Sequence, residues 1–349
     1  MRAVICGYYG MGNGGDEALL ATLLQMLPTH IEPIVLSGDP NTTQREYQVE
    51  VCDRSDPVAV LAALRSAEAF IFGGGSLMQD STSWVSPLYY GGLMWLAQRL
   101  RLKTVAWAQG IGPLQRPWIR WLSCNVFRGC TAVSVRDTRS ANLLNRWQVS
   151  YQLAPDPVWA LSAKPQQIPH EQDLPHPRIA VSLRPHATLT PTRLQLLIQA
   201  IADLQVRLAA SIILIPFQPQ TDRAIADQVY DRLQKPAVIL QESNPQYLKG
   251  LFTAIDLTIS MRLHGLIMAA AEGSNCYALS YDPKVTALMQ DLNLPGSELS
   301  QLPTQPGTLV QELMQLVQAC NSVYRDTLPL QEQAQQAVKH QKLLHQVLA

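Results

Sequence analysis

At 349 residues, 47% of them hydrophobic, the chain is too long for one ordinary core and suits two domains of roughly 150 residues each. Lys plus Arg and Asp plus Glu both total 27, so the formal charge is zero; without a polybasic block, the composition argues against nucleic acid or an anionic membrane as partner. The cysteines Cys6, Cys52, Cys124, Cys130, Cys276 and Cys320 lack C-x-x-C spacing, which excludes a zinc ribbon and reads as reduced thiols.

The N-terminus MRAVICGYYG runs straight into a strand and a glycine loop. It has no signal-peptide pattern, and no apolar stretch approaches the roughly 20 residues that span a bilayer, so the expected location is the cytoplasm. Short apolar runs then alternate with segments of helical period, the pattern of parallel strands with crossover helices. Strands are expected at 3–8, 33–37, 68–72, 104–108 and 132–135, with helices near 16–27, 58–66, 88–100, 117–128 and 138–147. Proline-rich residues 166–177 read as an exposed linker after an N-terminal Rossmann-like domain, residues 1–165. A second α/β series over 178–321 has strands expected at 179–183, 211–216, 237–240, 257–260 and 276–280. The Gln-rich tail 322–349 reads as a closing helix that packs back.

In open parallel sheets, ligands bind beyond the carboxyl ends of the strands, where loops converge and helix N-termini point their N–H groups outward. The motifs fall at those places. After the first strand comes GYYGMGNGGDE, in which Gly10, Gly12 and Gly14 allow close backbone approach and Asn13 supplies an amide. Asp16 and Glu17 suit the first helical turn. After the strand ending at Phe72 comes GGGSLMQD; packing alone is a poor reason for Gly73, Gly74 and Gly75, and Asp80 is placed to take a proton from a sugar hydroxyl. Arg136 of SVRD reads equally as an anion clamp or as an ion pair with Asp137. The second half places Arg184, Arg262, His264 and Lys284 at three strand ends, which argues for an anionic donor there. The remaining histidines do not cluster and no Asp-x-Asp occurs, so no metal and no cofactor is expected.

Seven ordered motifs resemble the polysaccharide pyruvyl transferases, and within them the CsaB group: GYYGMGNGGDEALL, FGGGSLMQD, QGIGP, SVRD, Asp156-Pro157, SMRLHGLIMAA and YDPKV. The resemblance implies a GT-B-like fold, two Rossmann-like domains with parallel sheets facing across a cleft. It also implies transfer of pyruvate from phosphoenolpyruvate, as a cyclic ketal, to a sugar of a cell-surface or cell-wall polysaccharide or its lipid-linked precursor. Donor-binding roles carry over to Asn13, Arg136, His264 and Lys284, with Arg262 beside His264; Arg184 joins them on position alone. For that chemistry His264 reads as the acid or as the partner of the leaving phosphate, Arg136, Arg262 and Lys284 as anion clamps, and Asp80 as the acceptor-side base. Three other readings compete. A GT-B glycosyltransferase with a nucleotide-sugar donor needs the same cations, and Gly10-x-Gly12-x-x-Gly15 also matches a dinucleotide fingerprint with Asp39 at ribose distance. A glycan-binding protein on a degenerate scaffold is the third.

Overall fold

The computed structural model describes residues 1–81, 83–169, 171–318 and 328–349, with the backbone alone at 328–330. Cys320, His170 and the start of the expected tail helix at Ser322 lie outside the described residues. The chain forms two compact units, one of Met1–Leu161 with Gln333–Ala349, the other of Ser162–Glu332.

The first unit runs β1 (Arg2–Cys6), α1 (Gly14–Met26), β2 (Glu32–Ser37), α2 (Pro40–Tyr47), β3 (Glu50–Asp53), α3 (Pro57–Arg65) and β4 (Ala69–Phe72). It continues with β5 (Gly75–Met78), α4 (Val85–Arg99), β6 (Lys103–Ile111), α5 (Pro117–Arg128), β7 (Ala132–Val135), α6 (Thr138–Arg146) and β8 (Gln152–Leu153). All pairings are parallel, in the order β3-β2-β1-β4-β6-β7-β8, with β5 beside β6.

Side chains of a strand alternate between faces, so each central strand feeds two cores. Val4, Cys6, Phe70 and Phe72 face one side, where Val60 of α3, Met94 of α4, Val126 of α5 and Leu144 of α6 close over them. Ala3, Ile5, Ile71 and Trp107 face the other, with Leu20 and Leu23 of α1. That second face is completed by the chain end, where α13 (Leu328–Ala337) is followed by α14 (Lys339–Leu348). Leu344 and Leu348 of α14 are fully buried there, each stabilising the docking by about 1.5–3 kcal/mol.

The second unit runs β9 (Arg178–Ser182), α7 (Pro191–Leu208), β10 (Ser211–Leu214), α8 (Pro219–Tyr230), β11 (Ala237–Ile239) and α9 (Pro245–Leu251). Then come β12 (Leu257–Ser260), α10 (Leu263–Ala271), β13 (Asn275–Ser280), α11 (Pro283–Leu292), β14 (Gly296–Glu298) and α12 (Pro306–Gln318). Its parallel sheet has the order β11-β10-β9-β12-β13-β14.

Several elements escape the hydrophobic pattern. β3, β5, β8 and β14 have at most four residues, and α2 (PNTTQREY) is almost wholly polar. The proline-rich segment 166–177, with Gln167, Pro169, Gln172, Asp173, Pro175 and His176 exposed, is also anchored within the second unit. Ile168 and Leu174 are buried and Glu171 pairs with Arg178 at 2.6 Å, while just before the segment Lys164 N–H donates to the Gln246 carbonyl at 3.0 Å.

In each sheet the first strand lies in the middle and the connections then reverse direction. The switch points fall between β1 and β4 in the first unit and between β9 and β12 in the second. These are the crevices where doubly wound sheets bind ligands.

Candidate functional site

In the second unit the switch point is cationic. Arg184 follows β9; its Nη1 donates to the Tyr281 hydroxyl at 3.0 Å, and its guanidinium lies 5.4 Å from the centre of that ring. Its Nε is buried and finds no hydrogen-bond partner among the described residues, and the same holds for the hydroxyl of Ser182 at the end of β9. An unpaired buried donor costs about 1–3 kcal/mol, so two of them two residues apart at the end of β9 mark a place suited to an acceptor-rich ligand.

Arg262, in the turn from β12 into α10, is spent differently. Its Nε donates to Asp222 Oδ2 at 3.0 Å and its Nη2 donates to both carboxylate oxygens, at 2.6 Å to Oδ2. Asp222 is 1% exposed and sits in the first turn of α8, where it also accepts from the Gln218 N–H at 3.0 Å. Burial pulls the Arg262 pKa down; Asp222 opposes that shift and the charge of Arg184 adds to it. Arg262 is therefore a positive charge held in place beside Arg184 by a carboxylate, which corrects the expectation of an open clamp. Nothing in the sequence motifs pointed to Asp222.

His264 and Lys284 are each the second residue of a helix, α10 and α11, and both are partly buried. The first turn of a helix favours anions through its unpaired N–H groups and its dipole. Because β9, β12 and β13 are neighbours in the sheet, the structure brings Arg184, Arg262, His264 and Lys284 to adjacent strand ends of one edge.

The first unit's switch point is held by its own loops. Asn13 caps α1, accepting from Gly15 N–H at 3.1 Å and donating to Asp16 Oδ2 at 2.6 Å. Gly10 has φ +70° and a Cβ there would fall 2.0 Å from Ser37 Oγ, while Gly75 has φ +141°. Gly12 also has positive φ, and Gly14 opens α1. Packing does explain part of the triple glycine, against expectation. A Cβ on Gly73 would meet the Tyr9 hydroxyl at 2.0 Å, and one on Gly74 would press on Leu19 at 3.0 Å and Trp107 at 3.3 Å. Gln109 of QGIGP braces this loop, donating to the carbonyls of Phe72 at 2.9 Å and Gly73 at 2.7 Å.

Asp80 is not placed as an open base. Its side chain is fully buried, and its two oxygens accept from Gln115 N–H at 2.6 Å and Arg116 N–H at 2.7 Å. Burial would raise its pKa, but those two amides and the Arg116 guanidinium outweigh it and hold the carboxyl below its ordinary range. Asp80 thus ties the loop after β5 to the entry of α5. A carboxyl whose pKa is raised is Glu17: burial lifts it to about 7 despite its bond from Gly10 N–H. It accepts from Gly10 N–H at 2.8 Å and from the Tyr47 hydroxyl at 3.2 Å. Sequence reasoning treated Glu17 only as a helix-dipole carboxylate, because its burial depends on Tyr47, at the end of the unrecognised α2.

Arg136 forms a buried ion pair with Asp156. Its Nη1 meets Asp156 Oδ2 at 2.5 Å and its Nη2 donates to Ser76 Oγ at 3.1 Å, while Asp137 caps α6 through Ser140 N–H at 2.7 Å. The Asp156-Pro157 motif is accordingly the seat of this buried pair.

Three solved structures share the architecture. UDP-GlcNAc 2-epimerase from Methanocaldococcus jannaschii is 11% identical, with 99% of this chain and 100% of that one covered at TM-score 0.67. The UDP-GlcNAc 2-epimerase from Neisseria meningitidis, bound to UDP-GlcNAc, is 10% identical over 100% and 99% at 0.63. MurG of Acinetobacter baumannii is 14% identical over 100% and 99% at 0.52. At such identities the likeness establishes the GT-B-like fold alone. Residues 13–283 match the family described as polysaccharide pyruvyl transferase, a span that begins at Asn13, takes in Gly73–Gly75, Arg136, Arg184, Arg262 and His264 and ends one residue before Lys284, and the chain belongs to that family.

Proposed function

We propose that the protein is a ketal pyruvyl transferase of the CsaB group that uses phosphoenolpyruvate to modify a sugar of a cell-surface or cell-wall polysaccharide or its lipid-linked precursor, working in the cytoplasm without a metal or cofactor. The observation that carries this reading is the pair of orphaned buried donors, Arg184 Nε and Ser182 Oγ, next to the charge of Arg262 at the second switch point. Phosphoenolpyruvate presents a carboxylate and a phosphate on one small frame, and such a ligand needs several cationic donors in a partly dry site.

Arg184 and Lys284 hold the two anionic ends, and Arg262 supplies fixed positive potential. The resemblance also assigns donor contacts to Asn13 and Arg136, and both stay in the proposed donor set, their side chains positioned by Asp16 and Asp156. His264 gives a proton to the methylene carbon, so that C2 becomes an oxocarbenium-like centre. One sugar hydroxyl attacks C2; the C2–O bond to phosphate breaks and phosphate leaves; a second hydroxyl closes the ketal. Of the two hydroxyl protons, one restores His264 and the other is taken by the acceptor-side base and passed on to the departing phosphate. Glu17 replaces Asp80 as the acceptor-side base, since a base needs a pKa near the working pH.

The decisive test is incubation with phosphoenolpyruvate and a pool of glycan acceptors. It reads phosphate release together with a mass gain of one pyruvate less one water. His264→Ala is expected to lower turnover by about 10²–10⁴ while leaving the thermal midpoint within a few degrees. Wild-type turnover in that variant would remove His264 from the mechanism. If UDP-sugars stabilise the fold and phosphoenolpyruvate does not, the donor is a nucleotide sugar and the pyruvyl reading fails.

A further inference from the structure

Zero net charge conceals a strong segregation of charge in the first unit. Between Ser81 and Arg136 there is no Asp or Glu, but there are Arg99, Arg101, Lys103, Arg116, Arg120, Arg128 and Arg136. The helices that cover one face of the sheet, α3 to α6, contain no acidic residue at all. The carboxylates at their edges are engaged: Asp56 caps α3, Asp137 caps α6 and Asp80 is buried in its loop.

The same layer exposes the wrong kind of side chain for water. Trp84, Trp95, Trp118 and Trp121 are 48%, 50%, 44% and 69% exposed, whereas Trp107, Trp147 and Trp159 are buried. Val85, Leu88, Trp95 and Arg99 fall on one stripe of α4, with exposed Arg99 stacked over the Trp95 ring at 5.1 Å. α5 lies alongside, its Leu122 against Gly91 and its Val126 carbonyl 2.7 Å from Gln98 Nε2, and Trp118 meets Trp84 edge-on at 6.2 Å. Between α5 and α6 opens a groove of about 430 Å³ whose charged lining is Arg120, Arg139 and Arg146.

We propose that this face docks on an anionic phospholipid bilayer, with the four tryptophans at headgroup level and a lipid phosphate held by Arg120, Arg139 and Arg146. Tryptophan collects at the bilayer interface because its ring is apolar and its N–H polar, and basic residues around it are drawn to anionic lipid. A second copy of the chain would bring two positive faces together, and RNA offers Val85 and Leu88 nothing apolar to bury against. The inference is independent of the donor chemistry. It also reverses the exclusion of an anionic membrane drawn from net charge, since no helix of the described residues is long and apolar enough to cross a membrane but this layer suits lying on one.

The test is flotation of the full chain with vesicles of phosphatidylcholine alone and of phosphatidylcholine mixed with phosphatidylglycerol. The wild type is expected to float with the mixed vesicles only, less so as salt rises, with its tryptophan emission shifted to the blue. Exposed Arg139→Gln and Arg146→Gln should each weaken binding about fivefold, and Trp118→Ser with Trp121→Ser should weaken flotation and reduce the emission shift, all with unchanged melting. Binding that ignores lipid charge, or variants that float like wild type, would overturn the proposal. So would a thermal shift by inorganic phosphate that depends on Arg139 and Arg146 without flotation, a dimer dissolved by the tryptophan variant, or retention of RNA in place of vesicles.

Discussion

His340 gives the sharpest handle on how the chain end holds to the first unit. It is fully buried on α14, its Nε2–H donates to the Pro155 carbonyl at 2.9 Å, and its Nδ1 accepts from the Ser134 hydroxyl at 2.9 Å. That hydroxyl in turn accepts from Ala108 N–H at 2.8 Å, and the ring stands edge-on to Trp107 at 5.8 Å. The network therefore wants a neutral imidazole, and burial pushes the pKa from 6.5 down to about 4. Because the folded value lies below the unfolded one, the stabilisation is complete above pH 6.5 and is lost as pH falls through 6.5 towards 4. The loss amounts to about 3 kcal/mol. Glutamine keeps one donor and one acceptor but does not titrate, so His340→Gln should show a pH dependence shallower by that amount. Urea unfolding and hydrogen exchange of the α14 amides, both followed across this window, measure the difference. Equal slopes for wild type and His340→Gln would refute the assignment.

Two further predictions follow from buried charge. Asp222→Asn should destabilise the second unit by about 3–5 kcal/mol, because it leaves Arg262 buried without its counter-charge, whereas the paired change Asp222→Leu with Arg262→Met should cost much less; a double-mutant cycle in urea reads the coupling. Glu17 has the opposite pH sign from His340. Its folded pKa of about 7 lies above the ordinary 4.5, so the fold favours its protonated form, and that stability is lost as pH rises from 4.5 to 7. Glu17→Gln should flatten the decline, a difference of about 3 kcal/mol visible in chemical melts on either side of the window; an unchanged profile would show that the carboxyl is not buried in solution.

Much of the fold was legible because long apolar runs and amphipathic helices report directly on burial. Strands such as Ala132–Val135 and helices such as Pro117–Arg128 came out at their own bounds. Four short strands and polar α2 did not, since EVCD, GSLM, QL and GSE carry no apolar run set off from their flanks and α2 has almost no apolar face. The motifs located both switch points, because a loop after a strand is a local property of the chain. The partners of each side chain were beyond reach. Asp222 lies 40 positions from Arg262, Asp156 lies 20 from Arg136, and Ser134 lies 206 from His340.

By itself, then, the sequence determined the α/β alternation, the glycine loops and the family to which the chain belongs, all of which are written in consecutive residues. Tertiary structure alone decided which charges are spent and which stand ready: Arg262 and Arg136 are locked on distant carboxylates, Asp80 is a loop clasp, and Arg184 keeps a buried donor unpaired. It also decided where charge gathers. Net charge sums over the whole chain, whereas a surface potential depends on which side chains the fold sets side by side, so a neutral chain presents an acid-free, tryptophan-studded face on α4 and α5.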